Sequence, residues 1–307
     1  MAITAAQVKE LRETTGAGMM DCKKALQETD GNLDAAIKYL REKSGAKVEK
    51  KGGRIAAEGL VAGFIGNGAA ALIEVNCETD FVSLNKDFIA FAADMAEQVA
   101  SEKPADVDAL KASNSLKVSG KSVDEVLTEK TATIGEKLVL RRFQLLTNNN
   151  AYGFYSHGGR IGVMVEIAVA DAAKKDDALV AQVAKDIAMH VASENPIALD
   201  ASSVDAKLLD EERDIYKNQA LAEGKPEVIV GKIVEGRVKK FLKERCLVEQ
   251  EFVKDPDVTV AKLLVNKGKD LDTELTLVSF TRYGVGEGIE KKSEGSLAEE
   301  VAKMTAS

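Results

Sequence analysis

The chain has no Trp and only four Pro among its 307 residues. With so few helix breakers and 30% of positions charged, long helices with solvated faces are favoured. Cysteine is scarce too: Cys22, Cys77 and Cys246 form an odd count without C-x-x-C spacing. That excludes a disulfide framework or zinc ribbon and suits free thiols in a reducing compartment. No apolar run approaches the roughly 20 residues of a membrane span. Met1-Ala2-Ile3-Thr4 lacks the charged start and apolar core of a signal segment. A soluble, cytoplasmic protein is the expectation. A basic excess is also missing, since 50 acidic against 42 basic side chains leave a net charge of -8. Broad binding to nucleic acid or an anionic membrane is therefore disfavoured, despite local basic clusters at Lys47 to Arg54 and Arg237 to Arg245.

Catalytic chemistry is thin as well. There are two His, and no Ser/His/Asp or Cys/His set can be assembled. His190 lies within an amphipathic pattern and reads as packed. His157 precedes Gly158-Gly159 and reads either as a turn residue or as an exposed recognition contact. Gly284-Val285-Gly286-Glu287-Gly288 follows a strand pattern but lacks the G-x-G-x-x-G register, and no apolar helix starts there. No cofactor, no metal site and no covalent chemistry are expected.

What is present is α+β patterning on a chain long enough for two or three cores. Residues 1–45 read as three short helices. Thr4 and Gln7 form a capping-box pattern, Gly16-Ala17-Gly18 breaks the first helix, and Asn32 caps the third. The adjacent Met19 and Met20 cannot both point inward, which leaves an adaptable contact surface. Lys47 to Arg54, with paired Gly52-Gly53, reads as a solvated basic linker in which Lys51 could touch a partner.

From residue 56 the period changes to that of strands. Two apolar runs flank Gly66-Asn67-Gly68, a hairpin turn, and a helix follows to Ser101. The plan then recurs: Ala151 to Tyr155, a turn at Ser156 to Gly159, Arg160 to Glu166, and a helix to Ser193. The helix ends share Asp-apolar-Ala-x-x-Val-Ala-Ser (Asp94–Ser101 and Asp186–Ser193), so a duplicated core of antiparallel sheet and helix is expected. Helices around 106–117 and 122–138 and a strand over 138–143 bridge the copies. Residues 202–245 read as a helical hairpin turned at Glu223-Gly224-Lys225-Pro226, with an apolar stripe from Ile229 to Leu242. A strand over 275–283 and a last helix over 296–304 complete the pattern.

The organising stretch is Cys77-Glu78-Thr79-Asp80-Phe81-Val82, between the first buried strand and its helix. Asp and Thr suit such a junction as caps. Phe81 has two readings. It folds into the core, which spacing and the habit of Phe favour, or it stands out as an apolar wedge for a partner.

Several of these motifs, in this order, resemble the bacterial elongation factor Ts family from end to end. They are Val8 to Arg12 with Thr15 to Leu26, Glu74 to Val82, His157 to Gly162, and Gly284 to Glu290. The resemblance implies a guanine-nucleotide exchange factor whose partner is the GTPase elongation factor Tu. It implies a ubiquitin-associated-like domain with its linker over 1–55 and core subdomains over 56–147 and over 148–197 with 246–283. A helical-hairpin dimerisation subdomain would span 198–245, and a C-terminal module 284–307. Thr79, Asp80, Phe81 and Val82 would dislodge Mg²⁺ from the partner, with Phe81 as the wedge. Arg12, Met19, Met20, Lys23, Lys51, Ile134 and His157 match partner-binding positions. The segment between Lys103 and Val118 is longer than in typical members, and Arg142 to Asn150 is Asn-rich. The hairpin stripe would serve a homodimer or close on itself. A GTPase-binding scaffold or chaperone without exchange activity is the alternative.

Overall fold

Thr4 starts the first helix as its sequence predicts. Its hydroxyl accepts the Gln7 N–H at 3.3 Å, while the Gln7 side chain accepts the Thr4 N–H at 3.0 Å. The computed structural model describes residues 3–290, the side chains of 46–50 excepted. The expected helix over 296–304 lies outside the described residues. Described residues up to Ala62, with Ile73–Phe143 and the stretch from Gly284, make one unit; Gly63–Leu72 and Gln144–Tyr283 make another.

In the first unit, α1 (Ala5–Thr15), α2 (Met19–Glu28) and α3 (Leu33–Lys51) surround a small core of Leu11, Cys22, Ala25, Leu26 and Ala36. Gly16, at φ +67°, closes α1 in the left-handed conformation that glycine adopts without strain. Asn32 accepts the Ala35 N–H at 2.9 Å and caps α3. That helix continues to Lys51, through most of the stretch expected as a linker. Lys and Glu are good helix formers, so the charge run extends the helix and the Gly pair lies beyond its end.

Strands β1 (Glu58–Gly66) and β2 (Ala69–Cys77) follow. They are joined by Asn67 and Gly68, both at positive φ as a two-residue primed turn requires. The hairpin tip, Gly63–Leu72, belongs to the second unit. A one-turn α4 (Asp80–Ser83) leads to α5 (Lys86–Glu102), α6 (Val107–Ala112) and α7 (Val123–Ile134). Helix α7 stops four residues before the predicted end, because Gly135 takes a left-handed φ of +90°. Strand β3 (Val139–Leu146) completes the sheet order β1-β2-β3.

Every residue of β2 is buried, Glu74 included. Its carboxylate receives Arg141 at 2.9 Å, Arg142 at 2.6 Å and the Gly286 N–H at 2.8 Å. Burial pushes the Glu74 pKa up, but Gly286, Arg141, Asn76 and Arg142 outweigh it and hold the group below its ordinary value. The glycine-rich stretch from Gly284 is thus a structural anchor. A Cβ on Gly286 would meet the Ala57 carbonyl at 2.3 Å, and its φ is +72°.

The second unit contains β4 (Ala151–His157) and β5 (Ile161–Val169), antiparallel with His157 opposite Ile161. Helix α8 (Ala178–Glu194) covers them, so closely that a Cβ on Gly153 would lie 2.2 Å from the Ala184 backbone. Val163, Val165, Ile167, Ile187 and Leu247 are fully buried there. Helices α9 (Ala206–Ala222) and α10 (Glu227–Arg245) form the expected hairpin, with Pro226 at the start of α10. Its stripe turns inward: Val230, Val234 and Val238 are buried with Ala220 of α9. Strands β6 (Glu251–Phe252) and β7 (Asp255–Thr259) pair, α11 (Val260–Asp270) follows, and β8 (Leu275–Gly284) completes the sheet order β4-β5-β8. The fold is α+β, with three N-terminal helices and antiparallel sheets packed with helices.

Candidate functional site

The junction between β2 and α5 is short and capped at each step. Thr79 is extended (φ -126°, ψ 156°), and its hydroxyl accepts the Val82 N–H at 3.4 Å. Asn85 then caps α5 by accepting the Asp87 and Phe88 N–H groups. Between these caps α4 has room for four residues and buries none of them. Phe81 is 82% exposed. The expectation that it folds into the core is therefore overturned. Phe88 and Phe91 of α5 fill that core, and the two caps fix α4 on the outside. Leu84, three residues after Phe81 and 75% exposed, adds a second apolar side chain to the ridge.

The ridge is held from behind by carboxylates. Glu136, just beyond α7, accepts the Glu78 N–H at 3.0 Å, the Thr79 N–H at 2.9 Å and the Thr79 hydroxyl at 2.6 Å. Glu78 in turn accepts the Lys137 N–H at 2.6 Å and the Arg54 guanidinium at 3.0 Å. The Lys137 ammonium donates to the Gly52 and Arg54 carbonyls at 2.7 and 3.0 Å. The Cys77 thiol donates to the Thr79 carbonyl at 3.1 Å. Burial, then the nearby Glu136 charge, push its pKa up to about 12, so it is an inert thiol.

The other sequence-predicted positions fall into separate groups. Arg12, Met19, Met20 and Lys23 line an apolar groove of about 450 Å³ together with Ile3 and Val8. Both Met are exposed, Met20 at 73%, where adjacency required this of one. No junction residue lines that groove. Lys51 is half-buried at the end of α3, and Ile134 is half-buried at the end of α7, two residues before Glu136. His157 is exposed at the end of β4, in the second unit, with Nδ1 3.2 Å from the Tyr155 hydroxyl.

Sequence reasoning missed Glu136, the Glu78–Lys137–Arg54 tie and Leu84. Leu84 carried a signal, the i+3 spacing from Phe81. Glu136 carried none, since a Glu within the helix expected over 122–138 reads as a solvated side chain.

Among the described residues no nucleophile stands out elsewhere. His190 is fully buried, with Nε2 3.0 Å from Gln250 Oε1 and Nδ1 accepting the Val253 N–H at 3.2 Å. Burial pushes its pKa down, and the two bonds fix the neutral Nε2–H tautomer. Cys22 and Cys246 are buried, and burial raises both thiols. Among the described residues no group of three or more His, Cys, Asp or Glu could hold a metal ion. No helix among them is long and apolar enough to cross a membrane.

The described residues thus present a braced apolar ridge at Phe81 and Leu84 and an apolar groove with basic edges. Comparison with known proteins supplies the family. The family model described as Elongation factor TS matches residues 78–287. The chain is 51% identical to an elongation factor Ts of Clostridium novyi, with 98% of each chain covered. It is 50% identical to one of Thioalkalivibrio sulfidiphilus (98% of each chain), and 49% to one of Clostridium perfringens (98% of this chain, 99% of the relative). The chain belongs to the elongation factor Ts family.

Proposed function

We infer that the junction turns family membership into mechanism. As a member of the elongation factor Ts family, the protein is a nucleotide-exchange factor for elongation factor Tu in translation elongation, and not an enzyme. The observation that carries the mechanistic reading is Phe81, 82% exposed on a one-turn helix between two caps. In this reading Phe81 inserts into the GTPase near its nucleotide. Thr79, Asp80 and Val82 shape the contact, and the partner's Mg²⁺ is dislodged. The Arg12, Met19, Met20 and Lys23 groove grips the GTPase, with Lys51, Ile134 and His157 as further contacts.

The physics is linkage. A factor that binds the nucleotide-free GTPase more tightly than the loaded one weakens nucleotide binding by the same factor. Burying one Phe contributes about 2–3 kcal/mol, which is roughly 30- to 150-fold in an equilibrium. No proton transfer is required.

We read the two hairpin-and-helix units as a duplicated core, residues 56–147 and 148–197 with 246–283. Residues 1–55 would be a ubiquitin-associated-like module and 284–307 a C-terminal module, in a cytoplasmic protein. Exposed Val228 and Ile229 near the tip of the hairpin over 198–245 would serve a second copy, while its inward stripe holds the hairpin together.

The test is stopped-flow release of a fluorescent GDP from elongation factor Tu. Wild type should accelerate release, and Phe81→Ala should lose about 30- to 150-fold of that acceleration. Full acceleration by Phe81→Ala would remove the wedge. No acceleration by wild type would leave a scaffold that binds the GTPase without exchange.

A further inference from the structure

The exposed helix α4 cannot orient itself. Four residues are too few for a helix to be stable alone, and none of the four is buried. Its direction must come from its anchorage. Glu136 supplies three bonds there, two from backbone N–H groups and one from the Thr79 hydroxyl. The neighbouring Lys137 extends the brace to Glu78 and to the Gly52 and Arg54 carbonyls. A carboxylate that accepts three bonds from two consecutive residues fixes their peptide planes, and hence the exit direction of the helix that Thr79 caps.

We propose that Glu136 is the positioning residue of exchange: it sets the direction in which Phe81 is presented. The proposal rests on the reading of Phe81 as the wedge. In this role Glu136 acts through the Thr79 cap. A pre-set wedge avoids ordering its segment during binding, and a displacement of about 1 Å at a working group can cost on the order of 100-fold in rate. Losing Glu136 should therefore slow the maximal release of GDP more than it weakens encounter.

The experiment compares wild type, Glu136→Ala, Glu136→Gln, Phe81→Ala and the Glu136→Ala/Phe81→Ala double variant, all as the full chain with elongation factor Tu and fluorescent GDP. Release rate is measured against factor concentration. Glu136→Ala should lower the maximal rate about tenfold or more, with the half-saturating concentration changed less than about threefold. Glu136→Gln, which keeps an acceptor for the two N–H groups, should recover most of that loss. The double variant should be no slower than Phe81→Ala within about twofold, because the two residues act in series. Amide exchange at Glu78 and Thr79 in the free factor should speed up in Glu136→Ala.

A wild-type maximal rate in Glu136→Ala beside a slow Phe81→Ala would overturn the positioning role and leave the wedge standing. A wild-type rate in Phe81→Ala would overturn the wedge reading and this proposal with it. Additive losses in the double variant would overturn the serial route. Should Glu136→Ala fail to fold, Thr79→Val removes the 2.6 Å bond and, with it, the Val82 cap on the same hydroxyl, while leaving both backbone bonds to Glu136. It should slow maximal release severalfold, and an unchanged rate would overturn the proposal.

Discussion

The two hairpin-and-helix units use the same parts and differ most at the junction between hairpin and helix. Each hairpin leads through a short turn into a 17-residue helix, α5 or α8, that ends in a left-handed residue, Lys103 or Asn195. Each second strand buries a Glu at its sixth position, Glu74 in β2 and Glu166 in β5. The junctions diverge. The first holds exposed Phe81 and Leu84 braced by Glu136. The second, Asp171 to Asp177, makes a short turn over Ala172–Lys174 without a large apolar side chain. There the Asp171 N–H donates to the Thr273 hydroxyl and the Lys174 ammonium to the Asp272 carbonyl. The architecture provides a turn at this point in both units. Only the first unit's residues make it an exposed apolar ridge.

The buried carboxylates offer the largest way to sharpen this comparison. Glu74 is met by two guanidinium groups, while Glu166 accepts neutral donors from Asn148, Asn150 and Ser279 at 2.7–2.8 Å. Glu74→Ala takes a buried carboxylate from two half-buried guanidinium groups and the Gly286 N–H, and should cost roughly 3 kcal/mol, the low end for a broken buried pair because the arginines reach solvent. Glu166→Ala should cost about 1–3 kcal/mol. Denaturant unfolding would measure both, and equal losses would show that the charged partners add nothing.

Acid should act on the two units in different windows. His190 of the second unit is held below its ordinary 6.5 by burial. The unfolded chain therefore binds the extra proton, and stability falls as pH drops through 6.5 toward the folded value, by up to about 1.4 kcal/mol per pH unit. Glu74 of the first unit is held below its ordinary 4.5. Its contribution is complete above about pH 4.5 and is lost as pH falls through the folded value. Thermal unfolding from pH 7.5 to 5.5 should show a slope that flattens in His190→Gln and persists in Glu74→Gln. The reverse pattern would mean the two windows are misassigned.

The smallest effect is expected from copying the ridge. Ala173 is the second residue of the second unit's turn, as Phe81 is of α4, and it is exposed. Ala173→Phe should change stability by no more than about 0.5 kcal/mol and leave GDP release unchanged. A gain in release would show that any exposed Phe at such a turn suffices.

Local chemistry made much of the fold legible. The Thr4 capping box, the Asn67-Gly68 turn, the shared helix-end pattern and Pro226 before α10 each state their conformation within a few residues. Spacing alone favoured the core for Phe81 and missed its exposure, because its place depends on competition: Phe88 and Phe91 take the core, and only the assembled caps decide which Phe is left out. Glu136 was illegible because its partners lie 57 and 58 residues away. The Glu74 anchor hides the same way, with Gly286 212 residues away. The basic run through Lys51 was misread because composition alone does not separate a charged helix from a charged linker.

The central claim is that Phe81 works by dislodging the partner's Mg²⁺. Its most direct test is the release of fluorescent GDP from elongation factor Tu by wild type and Phe81→Ala, with Mg²⁺ present and with Mg²⁺ removed by EDTA. A residue whose task is to dislodge the ion has nothing left to do without it. The account predicts a loss of roughly 30- to 150-fold with Mg²⁺ that shrinks to within about threefold in EDTA. An equal loss in both conditions would contradict it and make Phe81 a general contact.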